Sequence, residues 1–462
     1  MFRGLTESDP VTFLPRPALG ERGRWMDATH YRVRVRTDAK FQDGRAVSAS
    51  DVVATYESVL APTSRSRLRG TYTRVLRSVR ALDAREVEFE LTALDGSLET
   101  LLQLGILPAE EARAGEMGPA DMTSSARVGS GAMRVSAAAR DLLTLARVAV
   151  GGSFRALDVV TLHDPNTLAL RLLHGEGDVA ELKPELYGVF EHRTDFEVAS
   201  APTSGVTYLG LHCEHGLLQR ADVRRALGMA IDRRALGSAM LGRHAVPATG
   251  VLPPTHWAYT GDVAALPFDP VAARAALRSA GVPVGLRLVL RVSNQRFAVT
   301  AAQALAAMLA DVGVELEVRP SELATLLGDL RAGRFDVALL TVPDLSDPRG
   351  LSFWFGSESI PTAENPGAGG NRWRYRSAPL DAALEGGLRS LGAAARRPHY
   401  EQAQRILAAD LPVVPLWHAD VVFALRRPFR GLVPRGDGQL DFLLGVTRDG
   451  AVSASDTASQ RR

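Results

Sequence analysis

The sequence predicts an α/β fold, and three of its segments carry that prediction. The most regular is residues 286–341, where apolar strands alternate with amphipathic helices in the order Leu286–Val292, 299–312, Val314–Val318, 321–332 and Phe335–Leu340. Gly313 and Gly333 follow the two helices, and glycine is the residue that left-handed helix caps favour. Short joints between alternating strands and helices indicate a parallel layer with right-handed crossovers.

The other two segments are amphipathic strands near the amino terminus. Residues 31–36 alternate between apolar side chains and arginines, and residues 87–91 alternate between apolar side chains and glutamates. Strict alternation is typical of half-buried strands. The opposite charges predict that the two strands share one sheet, with arginine facing glutamate. Between them, Ser48 and Asp51 form a capping box at the start of a predicted helix.

The remaining elements follow from periodicity and composition. We predict further strands and helices at Val206–Leu211, 222–236, Pro379–Leu391, His399–Asp410, Val413–Trp417 and Val421–Leu425, of which the first and the last two are strands. Residues 356–372, rich in Gly, Pro, Ser and Asn, form a long predicted loop, and such loops are often functional. Residues 451–462 are predicted to be a disordered tail.

The composition is that of a globular protein with two or three domains, since 46% of the 462 residues are hydrophobic and 23% are charged. The net charge of +2 gives no excess that would attract nucleic acid or anionic lipid, so we expect neither as a partner. The single cysteine, Cys213, cannot form an internal disulfide and is expected to be buried beside a strand. No apolar run reaches the roughly 18 residues of a membrane span.

The chain carries no catalytic signature: GxSxG, HExxH, a Walker A loop and GxGxxG after a strand are all missing. His212 and His215 flank Cys213, but residues three apart on a strand point to opposite faces, which argues against a metal site. Val128–Gly131 is glycine-rich, yet no helix start follows it, so we interpret it as a turn entering a strand. We therefore expect no enzyme activity, no cofactor and no metal.

Several segments resemble, in order and spacing, the family 5 extracellular solute-binding proteins of ABC importers, which carry oligopeptides, dipeptides and nickel. Phe41–Val53 resembles the family's F-x-D-G-x-x-(V/L)-(T/S)-A-x-D-V signature, and Asp222–Arg233 is similar to D-x-R-V-R-x-A-l-x-x-A-I-D-R. Shorter matches are Ile106–Pro108, Val128–Gly131, Leu173–Asp178 and Asn371–Asp381. The resemblance covers about residues 5–430.

The resemblance implies the class II periplasmic-binding-protein fold, with two lobes, an inserted small third domain and a hinge. The analogous ranges are 1–20, 127–208 and 430–450 for the discontinuous lobe I, 21–126 for the inserted small α/β domain and 209–429 for lobe II. The segment 286–341 then belongs to lobe II.

Candidate ligand-binding residues lie in two loops, because ligands of open α/β sheets bind beyond the carboxyl ends of the strands. In the loop 341–347, the resemblance implies that Asp344 stands where peptide-binding relatives pair an aspartate with the peptide's α-ammonium. The alternative is that Asp344 merely starts a turn. In the loop 293–296, Asn294 and Arg296 are candidates, and Arg296 would meet a ligand carboxylate if it is not simply solvated.

Two further candidates come from departures and aromatic residues. His212 stands where the family usually has asparagine at the end of strand 206–211. Residues 339–343 are apolar or small where peptide-binding members often have arginine and tryptophan, which argues against ordinary oligopeptide binding. Trp354 is a candidate for lining the pocket, with core packing as the alternative, as for Trp373 and Trp417.

The amino terminus is the largest departure. Gly4-Leu5-Thr6 resembles a family segment that normally follows a signal peptide and the first strand by some tens of residues. We therefore expect that the start is misassigned and that the product is periplasmic or a membrane-anchored lipoprotein.

The predicted function is a solute-binding receptor of an ABC importer, which captures a peptide or similar small solute and delivers it to permease subunits as a monomer. One alternative is a sensory or regulatory receptor without a permease, which an orphan gene locus would favour. The other is an α/β hydrolase, which turnover of a peptide or ester panel would favour. The identity of the solute is not readable from the sequence.

Overall fold

A computed structural model, which describes residues 1–113, 127–148, 153–362 and 369–449, confirms the α/β fold. The predicted tail at 451–462 and residues 363–368 of the predicted loop lie outside the described residues. Two sheets carry most of the architecture: a four-stranded antiparallel sheet in the amino-terminal part and an eight-stranded mixed sheet in the rest.

The amino-terminal part combines a short hairpin with the four-stranded sheet, on which a long helix packs. Its elements are β1 (Thr6–Ser8), β2 (Pro15–Pro17), β3 (Arg24–Trp25), β4 (His30–Arg34), α1 (Ala49–Leu60), α2 (Arg69–Val75), β5 (Leu76–Ala81), β6 (Glu86–Leu91), α3 (Leu98–Leu101) and α4 (Ala109–Arg113). The strand order in the sheet is β3-β4-β6-β5.

Both predictions from the amphipathic strands are confirmed. β4 and β6 pair in antiparallel fashion with Arg32 opposite Glu88. The Glu88 carboxylate is buried, and the Nε atoms of Arg32 and Arg80 each lie 2.7 Å from it. The capping box of Ser48 and Asp51 is present at the start of α1.

The middle of the chain forms a three-stranded antiparallel sheet and then enters the large one. Its elements are β7 (Met133–Ala138), β8 (Leu142–Arg147), β9 (Ala156–Val160), α5 (Pro165–Leu173), β10 (Val179–Leu182), α6 (Tyr187–Phe190), β11 (Phe196–Pro202), β12 (Val206–Leu211), α7 (Ala221–Met229), α8 (Arg233–Leu241) and β13 (Ala245–Pro247). The Val128–Gly131 turn leads into β7, as predicted.

The last part of the described chain completes the large sheet and covers it with helices. Its elements are α9 (Pro270–Ser279), β14 (Leu286–Ser293), α10 (Arg296–Ala310), β15 (Val314–Ser321), α11 (Leu323–Arg331), β16 (Val337–Val342), α12 (Gly350–Phe355), α13 (Ala378–Arg389), α14 (Gly392–Asp410), β17 (Val413–Arg426), β18 (Phe429–Arg430) and β19 (Thr447–Arg448). The strand order is β10-β17-β12-β16-β14-β15, and β11 and β13 also pair with β17.

The predicted parallel layer is confirmed, because β14 pairs in parallel with both β15 and β16. β12 joins β16 in antiparallel fashion and is buried along its whole length. Alternate residues of β12 enter two separate cores: Leu209 and Leu211 pack on one face, Val206 and Tyr208 on the other. Helices therefore cover both faces of this part of the sheet.

Three predicted extents are wrong. Residues 222–236 form two helices, because the side chain of Asp232 accepts a hydrogen bond from Ala235 N and caps α8. The two strands predicted between 413 and 425 are one strand, β17, because the residues between them continue to pair with β13 and β11. Helix α14 begins at Gly392 and not at His399.

The long strand β17 belongs to both halves of the large sheet. Residues 413–419 pair with β12 and β13, and residues 420–426 pair with β10 and β11. We call the first group, with β14–β16, the lobe II half and the second group the lobe I half. The domain ranges given above remain a prediction.

Candidate ligand-binding cleft

Two chain segments, here called the crossing, connect the two halves of the sheet. The first is Thr203–Gly205 between β11 and β12, and the second is His418–Asp420 within β17. Thr203 Oγ1 donates to Ala419 O at 2.8 Å, and His418 Nδ1 lies 2.8 Å from Gly205 O. The crossing is therefore a pair of hydrogen-bonded segments at the boundary between the lobes.

Gly205 lets the crossing pack directly on the end of β16. A Cβ atom at this position would lie 2.7 Å from Val342 O and 2.9 Å from Pro343 O, closer than real side chains approach a backbone. The glycine thereby brings the loop that follows β16 up to the crossing.

Asp344 lies in that loop, where it is hydrogen-bonded to the crossing. Its Oδ1 accepts from Ser204 Oγ and from Ser346 N, both at 2.8 Å. The hydrogen bond from Ser346 N is typical of a turn that begins at an aspartate, so Asp344 does start a turn, as the alternative interpretation expects. The side chain is nevertheless exposed, and Oδ2 accepts no hydrogen bond from the residues that the structure describes. One carboxylate oxygen thus remains available to a ligand cation.

Asn294 and Arg296 lie at the same edge of the sheet. Because Arg291 of β14 pairs with Ala338 of parallel β16, Asn294 is level with Thr341. Asn294 Nδ2 donates to Glu322 Oε1 at 2.6 Å, and Arg296 is exposed in the first turn of α10. The structure therefore brings both loops to one edge.

His212 lies at the opposite end of β12 from Asp344. The strand pairs Val206 with Val342 and Leu211 with Val337, so His212 is close to the start of β16. Its backbone N–H donates to Asp336 O at 3.0 Å. At about 3.3 Å per residue, roughly 20 Å separates it from the crossing, and the structure does not bring it together with the other candidates.

Trp354 is half-buried on α12, and its ring covers a buried cation that the sequence analysis missed. The Arg372 guanidinium carbon lies 5.5 Å from the ring centroid of Trp354. Nothing in the sequence singled out Arg372, because it lies in the Asn371–Asp381 segment and the family motif that this segment resembles gives its position no role. Trp373 and Trp417 are fully buried, which confirms core packing for these two.

A profile of the bacterial extracellular solute-binding proteins, family 5, middle region, matches residues 15–361. The chain belongs to this family. Its relatives include the peptide transport periplasmic protein SapA of Salmonella typhimurium, which is 27% identical over 97% of this chain and 86% of its own length. A probable di/tripeptide-binding protein of Pseudomonas aeruginosa is 25% identical over 92% of this chain and 86% of its own.

Solved structures of similar proteins confirm the two-lobed fold of this solute-binding protein. NikZ of Campylobacter jejuni, in complex with Ni(L-His), superposes with a TM-score of 0.79 over 97% of this chain and 94% of its own, at 20% identity. The oligopeptide-binding protein AppA of Bacillus subtilis, in complex with a nonapeptide, gives a TM-score of 0.74 over 97% and 93%, also at 20% identity. At this identity the likeness shows the fold alone.

Beyond Asp344, the same loop ties lobe II of the solute-binding protein to its amino-terminal part. Asp347 is buried, accepts a hydrogen bond from Thr100 Oγ1 at 2.6 Å, and forms an ion pair with Arg396 at 2.8 Å. Burial opposes ionisation of Asp347, but the charge and hydrogen bonds of Arg396 outweigh it and hold the pKa of this carboxyl below its usual value. The ion pair therefore fixes the start of α12 and, with it, Trp354.

Within the four described ranges, no group of three His, Cys, Asp or Glu side chains is placed to hold a metal ion. A search of the same residues finds no helix with the length and hydropathy of a membrane span. The free thiol of Cys213 is half-buried, and burial raises its pKa to about 11.

Proposed function

We propose that this solute-binding protein captures a peptide, or a similar small solute with an α-ammonium group, between its two lobes and delivers it to the permease subunits of an ABC importer. Two lines support the proposal. The relatives at 25–27% identity are named for peptide transport and di/tripeptide binding. Asp344 presents a carboxylate oxygen without a hydrogen-bond partner in the described structure at the edge where the lobes meet.

Asp344 is the feature that carries the peptide part of the proposal. Ser204 and Ser346 fix its Oδ1, so its orientation is set before any ligand arrives. While the lobes are open, water solvates the Asp344 carboxylate, so its charge costs the protein little stability. Closure of the lobes would exclude water from it, and the attraction between two charges rises steeply as the surrounding dielectric constant falls. An α-ammonium would then gain most of its binding energy in the closed form.

The remaining features of the proposal follow from the same role. The protein would act outside the cytoplasm, in the periplasm or anchored to the membrane as a lipoprotein, where relatives named as periplasmic proteins act. It would bind its solute without chemical turnover, since the family consists of binding proteins, and it would act as a monomer. Arg296 and Asn294 would contact the part of the solute that faces the second loop.

The test is a thermal-shift screen with dipeptides to pentapeptides, each with a free and with an acetylated amino terminus. A ligand at 100 times its Kd adds about 2.7 kcal/mol of stability, which shifts the Tm by a few degrees in a protein of this size. We expect free peptides to raise the Tm, acetylated peptides to fail, and Asp344→Asn to abolish the difference.

Asp311→Asn is the matched control, because this exposed aspartate follows α10 at the end away from the cleft. It removes the same charge and should leave the response intact. A screen in which no peptide stabilises the wild-type protein would contradict peptide capture. Equal responses from free and acetylated peptides would contradict the role of Asp344.

A further inference from the structure

Within the described ranges, three arginines are buried, and two of them have evident partners. Arg224 is 4% exposed and donates to the backbone carbonyls of Leu218, Gln219, Asp410 and Leu411 at 2.5 to 3.0 Å. Arg396 is 3% exposed and holds Asp347 with two nitrogens, at 2.8 and 3.3 Å. In both cases, hydrogen bonds within the protein replace those that the guanidinium group would make to water.

Arg372 is the exception. It is 6% exposed, yet its guanidinium makes no hydrogen bond and no ion pair with any residue that the structure describes, and its Nε is sealed from solvent. The guanidinium lies over the face of the Trp354 ring, 5.5 Å from its centroid. Burial lowers the pKa of Arg372; the nearby Tyr208 oxygen acts in the opposite direction, and the positive charge of Arg331 adds to the lowering. The described residues around Arg372 therefore provide an aromatic face for the cation but no carboxylate that pairs with it.

The neighbouring groups add hydrogen-bond donors and no acid. The hydroxyl of Tyr208 is buried and has no hydrogen-bond partner among the described residues, and the charge of Arg372 acts on it. The ring of Tyr208 lies edge-to-face on that of Trp373, at 5.3 Å between centroids, and the indole N–H of Trp373 is buried, with no partner in the part of the chain that the structure describes. Gly210 leaves the room that the Trp373 ring occupies, since a Cβ there would lie 2.0 Å from it.

An unpaired buried charge is expensive, and buried polar groups in native proteins are nearly always satisfied. An indole face attracts a guanidinium, but by about 2 kcal/mol at most, which is less than the several kcal/mol that desolvation of the ion costs. A bidentate carboxylate has the geometry that a guanidinium prefers, and a phenol would donate a further hydrogen bond to it. Of the three guanidinium nitrogens of Arg372, Nε is the one sealed from solvent without a partner, so the other two are open to an anion from outside the described chain.

We propose that Arg372 and Tyr208, covered by Trp354, form an anion-binding subsite of lobe II that takes a carboxylate group. The carboxylate belongs either to a free small acid or to the captured solute. The second source rests on the proposed function, and the first does not. In both cases Trp354 closes the subsite through its ring, and the Asp347–Arg396 pair holds the helix that carries it.

The first experiment needs no peptide. Sodium acetate is titrated into the wild-type protein, into Arg372→Gln and into Arg278→Gln, with sodium chloride keeping the ionic strength constant, and the Tm is followed. Arg278 is exposed on α9, so Arg278→Gln removes the same charge away from the proposed subsite and serves as the control. We expect acetate to raise the Tm of the wild type and of Arg278→Gln, and Arg372→Gln to lose the response.

The second experiment compares peptides with a free carboxyl terminus and their carboxyl-terminal amides. If the solute supplies the carboxylate, the free acids bind the wild type at least about tenfold more tightly than the amides, and Arg372→Gln removes that preference. If acetate stabilises the wild type and both peptide forms bind equally, the source is a free small acid. If no peptide in either form binds the wild-type protein, the proposed function is refuted, whereas the acetate result is unaffected.

The stability of the variants without added anion separates a binding role from a structural one. If Arg372 has no internal partner, Arg372→Gln leaves the Tm unchanged or raises it, and Tyr208→Phe does the same. A fall of more than a few degrees in Arg372→Gln would reveal an internal partner and overturn the proposal. A wild-type protein that responds neither to acetate nor to the carboxyl group of peptides would overturn it as well.

Discussion

Two of the three buried arginines in the described residues, Arg396 and Arg372, have similar surroundings but differ in their partner. Arg396 and Arg372 are 3% and 6% exposed, and each lies over a tryptophan ring, at 5.3 and 5.5 Å. Arg396 faces the carboxylate of Asp347. Arg372 faces no carboxylate in the part of the chain that the structure describes.

The difference separates two uses of a buried charge. A charge with its own counter-ion serves the fold, because it loses its partner only when the protein unfolds. A buried charge without a counter-ion destabilises the folded protein. A ligand of opposite charge that binds there offsets this cost, so its binding is favoured and stabilises the fold. The proposed anion subsite at Arg372 therefore rests on burial together with a missing partner among the described residues, and not on burial alone.

The largest expected effect comes from breaking the satisfied pair. Arg396→Met leaves the carboxylate of Asp347 buried and unpaired, so we expect the free energy of unfolding to fall by about 3–5 kcal/mol. Urea unfolding followed by circular dichroism measures it. The double variant with Asp347→Leu should recover part of the loss. A change below about 1 kcal/mol in the single variant would show that the Asp347–Arg396 ion pair contributes little to the stability of the fold.

Two buried histidines extend the comparison to groups that stay neutral. Burial lowers the pKa of His256 and of His418 to about 4. The unfolded chain takes up protons near pH 6.5 and the folded protein does not, so stability is full above that pH and is lost as the pH falls towards 4. The loss is on the order of 3 kcal/mol per histidine over this window.

Unfolding experiments between pH 7 and pH 4.5 measure this slope. His418→Gln should make stability depend less steeply on pH, since it removes one of the three histidines, with His212 and His256, whose pKa burial lowers. An unchanged slope in this variant would mean that His418 titrates normally in the folded protein.

Arg224 provides an intermediate case, because its partners are carbonyls and not a charge. Arg224→Met leaves up to four carbonyls without their donor, and we expect a loss of about 2 kcal/mol. The same urea experiment measures it. A loss as large as that of Arg396→Met would contradict the view that an abandoned carboxylate is worse than abandoned carbonyls.

The smallest expected effect is that of Arg372→Met in buffer without carboxylates. Because no described partner is abandoned, the free energy of unfolding should change by less than about 1 kcal/mol or should increase. Measured beside Arg396→Met under the same conditions, it gives the comparison its sharpest form. Equal losses in the two variants would erase the distinction.

Elements that rest on local chemistry were predictable from the sequence. The charge alternation of residues 31–36 and 87–91 predicted a strand pairing that Arg32 and Glu88 confirm. The periodicity of residues 286–341 predicted three strands and two helices in a parallel layer. The break at Asp232 was missed because a stripe of apolar residues continues through it, and only the cap shows that the helix stops.

The candidate site divides in the same way. A rule about strand ends was sufficient to place Asp344, Asn294 and Arg296 at one edge, because that rule depends on strand direction, which periodicity reveals. His212 was a candidate because it replaces the family's usual asparagine, and not because of this rule; β12 is antiparallel to β16, which puts His212 at the other edge from Asp344.

The amino-acid order was thus enough for the α/β class, most of the elements and the resemblance to a family of solute-binding proteins, because periodicity, caps and motifs are local. The tertiary structure alone decided that β17 pairs in both halves of the large sheet, that Asp344 is hydrogen-bonded to the crossing and that Arg372 is buried without a hydrogen-bond partner among the described residues. These facts depend on which distant segments pack together. An arginine in a sequence says nothing about whether water, a carboxylate or an indole ring will surround it.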